Sequence, residues 1–127
     1  MSDIDRTDWG LPERTNAPYD APDAGALIEA VRRYLHDDLM PRSDGADRWV
    51  LRVAANALAI AGREVELGPE HRASHEARLR SLGVDSDREL SEAIRAGTFD
   101  DRWDEVASVV RAGVAASLAV ANPGYAS

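Results

Sequence analysis

The hydrophobic pattern is densest between residues 49 and 66, where apolar side chains cover most of a helical surface. Plotted at about 100° per residue, the polar residues in and just before this stretch fall on one narrow strip. That strip consists of Arg48, Arg52, Asn56, Arg63 and Glu66. A helix with so wide an apolar arc must pack against two or more others. The pattern therefore predicts an all-α, single-domain bundle with a central helix at about residues 47–67.

Four further segments have helical spacing, which predicts about five helices in total. The first runs from about residue 23 to 38, with apolar positions at Leu27, Ile28, Val31, Tyr34, Leu35 and Leu39. Gly68 and Pro69 are expected to end the central helix, because proline cannot donate a backbone hydrogen bond. Pro69 would then begin a third helix that reaches residue 82.

The last two helices have clear boundary signals. Ser86 and Glu89 match a capping box, in which each side chain accepts a backbone hydrogen bond at the helix start, so a fourth helix follows to Gly97. A fifth helix begins near residue 100 and ends at the Asn-Pro-Gly of 122–124. One apolar arc of this helix is predicted to lie in the core: Phe99, Trp103, Val106, Val110, Val114 and Ala121.

Small, uncharged residues dominate the end of the fifth helix, from 112 to 121. Such a surface lets another helix approach closely, either within the domain or across a dimer. The sequence leaves both arrangements open.

Residues 1–22 are interpreted as an extended acidic arm that precedes a helical domain at 23–127. Glycine and proline interrupt the arm repeatedly, which argues against a packed element. Trp9, Leu11 and Tyr19 are nevertheless large and apolar. We therefore expect the arm to dock, on its own domain or on a partner.

Composition excludes several classes of chemistry. The chain has no cysteine, and all of its 15 Lys+Arg residues are arginine. Thiolate nucleophiles, lysine Schiff bases and Walker A phosphate loops are thereby ruled out. A formal net charge of −8 disfavours nucleic acid and anionic membranes as partners. With no signal peptide and no long apolar run, we expect a soluble cytoplasmic protein.

Arg52, Asn56 and Arg63 are the strongest candidates for a binding site. Offsets of four and eleven residues return to nearly the same helical angle, so the three project from one strip. Paired guanidinium groups could hold a carboxylate or a phosphate. A solvated face or a buried structural network would explain the same pattern.

Glu64 lies on the apolar side of the central helix, where a buried carboxylate would need a partner such as Arg95. If it were buried and unpaired, it could act as an acid or base. The alternative is that its end of the helix reaches solvent.

His71 and His75 are one helical turn apart, the spacing at which two imidazoles can meet one metal ion. Zinc requires at least three protein ligands, and no third is evident, so these are weak metal candidates and no metal is expected. The sequence contains no catalytic signature such as a Gly-x-Ser-x-Gly elbow. We predict no catalytic residues and no cofactor.

Four blocks together resemble a bacterial family of short, all-helical proteins of unknown function. They are residues 52–60 (Arg-Val-Ala-Ala-Asn-Ala-Leu-Ala-Ile), 63–69 (Arg-Glu-Val-Glu-Leu-Gly-Pro), 94–97 (Ile-Arg-Ala-Gly) and 122–125 (Asn-Pro-Gly-Tyr). Members of this family are typically encoded beside acyl-CoA dehydrogenases and aminoglycoside-phosphotransferase-like kinases. The resemblance covers about residues 23–126 and implies a protein partner of one of these two kinds.

Three functions follow as expectations. The first is a non-catalytic accessory or interaction domain that partners a dehydrogenase or kinase of this kind. The second is a protein, or a minor enzyme, that binds a small anionic ligand such as acyl-CoA or a nucleotide phosphate through the arginine strip. The third is a structural homodimer joined along residues 112–121.

Overall fold

A computed structural model describes residues 18–19 and 21–126, and every regular element in that part of the chain is helical. The four α-helices are α1 (Ala24–Arg33), α2 (Gly45–Ser81), α3 (Asp87–Arg95) and α4 (Trp103–Ala121). A π-helical turn, Tyr34–Leu39, and a 3₁₀ turn, Met40–Arg42, follow α1, and a second 3₁₀ turn, Pro123–Ala126, follows α4. The all-α prediction is confirmed, but the described residues form four α-helices rather than five.

The first helix begins where the sequence predicts. Asp23 precedes it, and its Oδ1 accepts the backbone N–H of Ala26 at 2.8 Å. This bond satisfies one of the amide groups that have no partner within the helix. The chain stays helical to Leu39, although it widens from α to π geometry after Arg33.

The prediction that Gly68 and Pro69 end the central helix is wrong. α2 runs through both residues and is 37 residues long, so the predicted second and third helices are one. Proline normally disfavours helical geometry in the preceding residue because its ring clashes with that residue's Cβ. Glycine has no Cβ, so Gly68 relieves this clash. Continuing the helix also carries Leu79 into the core, where it is buried.

The serine half of the predicted capping box before α3 is confirmed, whereas the Glu89 carboxylate binds the residue before the cap and not Ser86. Ser86 Oγ accepts the Glu89 backbone N–H at 3.1 Å, and Glu89 Oε2 accepts the backbone N–H of Asp85 at 2.8 Å. The turn before it is made by Gly83, whose φ of +80° is the left-handed conformation that favours glycine. α2 and α3 are thereby joined by a short, well-defined connection.

The core lies at one end of the molecule. Its buried cluster joins the end of α2 to α3 and the first half of α4, and it consists of Leu79, Leu82, Val84, Leu90, Phe99, Val106 and Val109. Elsewhere among the described residues, only Met40 and Ala55 are buried apolar side chains. Most of the length of α2 therefore lies outside the core.

α2 is the middle helix of a three-helix layer. α1 packs against its first half, where a Cβ built at Gly62 would lie 3.6 Å from Ile28 Cγ2. α4 packs against its second half, where Arg63 Nε donates to the carbonyl oxygen of Val120 at 2.8 Å. Both outer helices run antiparallel to α2. Within the described residues, no comparable contact joins α1 to α4.

The predicted core arc of the last helix is only partly buried. Phe99 and Val106 are buried as expected, but Trp103, Val110 and Val114 are 58%, 47% and 53% exposed, and Ala121 is exposed as well. α1 shows the same departure, since Leu27 and Val31 are about half exposed. These side chains lie on the apolar side of each helix, but no described segment covers them. The prediction that they belong to the core of this chain is wrong for that reason.

Candidate functional site

The most extensive candidate site is an apolar surface that we call the open face. It contains stripes of exposed side chains on all three helices of the layer. Its members are Leu27, Val31 and Tyr34 of α1, Val50, Val53, Ala57 and Val65 of α2, and Trp103, Val110 and Val114 of α4. The larger members range from 46% exposed at Val65 to 58% at Trp103.

Helical geometry places these stripes on one side of the layer. Within each helix, most neighbouring members are separated by three, four or seven residues, which return to similar angles. Ile28 of α1 faces α2, so Leu27 and Val31 of the same helix point to one side of the three-helix layer. Because α1 and α4 both run antiparallel to α2, the stripe on α4 points to that same side.

A groove between α2 and α4 opens on this face. Its volume is about 890 Å³, and its lining includes Ile60 and Glu64 of α2 and Val110, Gly113 and Val114 of α4. Glu64 is exposed and makes no hydrogen bond or ion pair within the described part of the chain. This part of the groove is therefore mainly apolar, with the Glu64 carboxylate at its border.

The far end of that groove is polar. His75 Nε2 lies 2.9 Å from Asp87 Oδ1, which ties α2 to the start of α3. His71 and Arg78 line the same end, and Arg78 Nε is buried with no hydrogen-bond partner among the described residues. In the described ranges, no group of three or more His, Asp, Glu or Cys side chains is arranged to hold a metal ion. His75 is thus part of a histidine–carboxylate contact between helices.

A second groove, of about 1100 Å³, lies between α1 and α2. Leu27, Leu58 and Val65 contribute apolar surface to it, and Tyr19 lies at its entrance. Its polar rim carries Glu29 and Arg32, which form a forked pair with N–O distances of 2.7 and 2.6 Å. Hydrogen bonding from Arg32 lowers the pKa of Glu29. Trp9 and Leu11, also expected to dock, lie outside the described residues.

The predicted arginine strip faces away from the open face and does not act as one unit. Arg52 and Asn56 are exposed and make no hydrogen bond within the residues that the structure describes. Arg63 instead binds the Val120 carbonyl and holds the end of α4. Arg63 thus has a structural role, whereas Arg52 and Asn56 remain available for binding.

The suggested pair of Glu64 and Arg95 is not formed. Both side chains are exposed, and no ion pair joins them among the described residues. Glu64 borders the α2–α4 groove, whereas Arg95 lies at the end of α3. Glu64 is exposed to solvent, as in the simpler of the two interpretations, but it lies in the middle of α2 and not at the expected helix end.

The open face as a unit was missed by sequence reasoning, although a signal for it exists. Between residues 49 and 62 the only polar side chains are Arg52 and Asn56, both on one side of the helix. The opposite side therefore needs a cover over its whole length. α3 is nine residues long and meets only the last turns of α2, so it cannot supply that cover.

Comparisons with known proteins identify a family. Across the described ranges, no helix has the length and apolar character needed to cross a bilayer. No curated protein and no solved structure gives a significant match to the chain. One family model, described as Domain of unknown function (DUF6285), matches residues 41–125, which is most of the helical region. This chain is therefore a member of the DUF6285 family.

Proposed function

We propose that this protein is a non-catalytic interaction domain, which joins other polypeptide chains through its open face. The observation that carries the proposal is the uncovered apolar stripe on all three helices of the layer. Nine large apolar side chains lie about half exposed on one side of the molecule. Monomers rarely expose contiguous apolar patches of more than a few hundred Å², and the largest ones, of about 300–600 Å², are often functional.

Burial of this face would supply substantial binding energy. Full burial of one Val or Leu side chain contributes about 1.5–3 kcal/mol, so the remaining half of each contributes about 1 kcal/mol. Binding of a partner to the open face would not depend on ion pairs, because every member of the open face is uncharged. An apolar surface whose members include no acid or base suits recognition better than catalysis.

We further propose that the domain is a cytoplasmic accessory subunit. Support for the partner class comes from the resemblance to a bacterial family encoded beside acyl-CoA dehydrogenases and phosphotransferase-like kinases. An enzyme of one of these two kinds is the candidate partner of the complex that forms through the open face. Arg52, on the side opposite the open face, is available to contact it.

Anionic-ligand binding is the weaker alternative. It requires the guanidinium groups of Arg52 and Arg63 to converge on one carboxylate or phosphate. Arg63 Nε is already bonded to the Val120 carbonyl, so recruitment of Arg63 would release the end of α4. Burial of the open face does not require this hydrogen bond to break.

The proposal is tested by capture of the tagged protein at native expression level, followed by mass spectrometry. Ala57→Asp places a carboxylate in the middle of the open face, and we expect it to release the chains held there. Asn56→Asp is the matched control, because Asn56 is the exposed neighbour on the opposite side of α2. Equal recovery of every bound chain in both variants would contradict the proposal.

A further inference from the structure

We infer that the open face is covered by a second copy of this chain, so that the working form is a homodimer. This inference rests on the proposed function and names the polypeptide that occupies the face. A dehydrogenase or kinase partner would then bind the dimer through another surface.

The core of a single copy is incomplete. α2 is 37 residues long, yet only Ala55 and Leu79 on it are buried. Helices in proteins gain most of their stability from packing of the apolar face. A layer with so little cover needs a permanent partner, and symmetric dimers of identical chains are by far the commonest permanent assemblies.

The open face has the apolar area of a dimer interface. Its half-exposed side chains, two of them aromatic and seven aliphatic, together present on the order of 500 Å² of apolar surface. A specific interface of standard size buries about 800 Å² per partner, of which roughly 60% is apolar. The open face therefore has the apolar area that one copy contributes to a stable dimer.

The distribution of charge also favours contact through the open face. The chain carries a net charge of −8, so two copies repel each other across most of their surfaces. The open face contains no charged member, and Glu64 is at its border. Contact through this face thus brings two acidic molecules together where the repulsion is weakest.

The two outer helices leave part of α2 without a neighbour. α1 flanks the first half of α2 and α4 flanks the second half, which leaves Val50 and Val53 beyond the reach of α4. A twofold axis in the plane of the interface, perpendicular to α2 and crossing it near its midpoint, stacks the two α2 helices antiparallel. That operation sets α4 of the second copy alongside the first part of α2. Each copy then supplies the helix that the other lacks.

The test measures mass and surface accessibility together. Sedimentation and light scattering of the purified chain should give a dimer, which Ala57→Asp dissociates and Asn56→Asp leaves intact. Because the native chain has no cysteine, Ala57→Cys and Asn56→Cys each introduce a single thiol. Both positions are exposed in one copy, but only residue 57 lies on the open face. In the dimer, the thiol at 57 should react with maleimide at least about tenfold more slowly than the thiol at 56.

Each outcome is decisive. A folded monomer at all concentrations, or a dimer that survives Ala57→Asp with equally reactive thiols, overturns the inference. If Ala57→Asp fails to fold, the two cysteine variants still decide, because alanine to cysteine is a small change. A monomer that nevertheless captures a dehydrogenase or kinase through Ala57 overturns the homodimer and leaves the proposed function standing. A monomer that captures nothing through this face overturns both.

Discussion

Arg63 Nε donates a hydrogen bond of 2.8 Å to the carbonyl oxygen of Val120, which links the middle of α2 to the last turn of α4. Carbonyl groups in the last turn of a helix have no partner within the helix. A cationic donor at this position also matches the negative end of the helix dipole. One side chain therefore both caps α4 and fixes its position along α2.

Arg63→Ala should destabilise the protein by about 1.5–3 kcal/mol, the range for hydrogen bonds that involve a charged group. The loss should appear as a lower urea midpoint with an unchanged slope. Arg52→Ala is the matched control, since Arg52 is an exposed arginine on the same side of α2 and has no hydrogen bond within the described residues. Equal effects of the two substitutions would contradict the capping role.

Pro69→Ala should stabilise the protein, because α2 continues through this position. Alanine restores a backbone N–H that can donate within the helix, which is worth up to about 3 kcal/mol, whereas the greater freedom of the unfolded chain costs about 0.4–1 kcal/mol. We expect a net gain of about 1–2 kcal/mol in urea unfolding.

Glu70→Ala, at the exposed neighbouring position, controls for the loss of a surface side chain. A clear loss of stability in Pro69→Ala alone would show that the helix needs proline at this point. That result would restore the two-helix interpretation of residues 47–82.

Ser86→Ala should destabilise the protein by about 1 kcal/mol, because Ser86 Oγ accepts the Glu89 backbone N–H at the start of α3. The melting temperature should fall accordingly. Ser108→Ala is the control, since Ser108 lies exposed within α4 and alanine is a better helix former. If Ser108→Ala lowered the melting temperature as much as Ser86→Ala did, the cap would not be the cause.

Local signals in the sequence predicted the boundaries of α3 and α4 because each depends on a few neighbouring residues. Ser86 Oγ accepts the backbone N–H of Glu89, only three residues further along the chain. The Asn-Pro-Gly of 122–124 ends α4 because proline has no backbone N–H to continue the helix. Pro69 was misleading because its effect is not set by its neighbours alone. The helix tolerates the loss of the hydrogen bond that proline cannot make, and Gly68, which has no Cβ, does not crowd the ring.

Burial could not be predicted in the same way. The spacing of Trp103, Val110 and Val114 correctly identifies one apolar side of α4, but periodicity does not say which chain covers that side. Phe99 and Val106 are buried because α3 and the end of α2 lie over them. Val110 and Val114 lie beyond that cover and remain exposed. The candidate site is therefore the part of the predicted core that no described segment covers.

The pKa of Glu29 should lie below its ordinary value of 4.5, chiefly because the carboxylate accepts the forked hydrogen bonds of Arg32. A lowered pKa in the folded state means that this pair stabilises the fold fully above the ordinary value, and that the contribution is lost as pH falls through the lowered one. Titration followed by NMR at the Glu29 carboxyl carbon measures the shift directly. Arg32→Ala should raise the pKa back toward 4.5, whereas Arg33→Ala should change it less, because Arg33 Nε is 3.7 Å from the carboxylate. An unchanged pKa in Arg32→Ala would mean that the forked pair does not form in solution, and the polar rim of the α1–α2 groove would then present a free carboxylate and a free guanidinium.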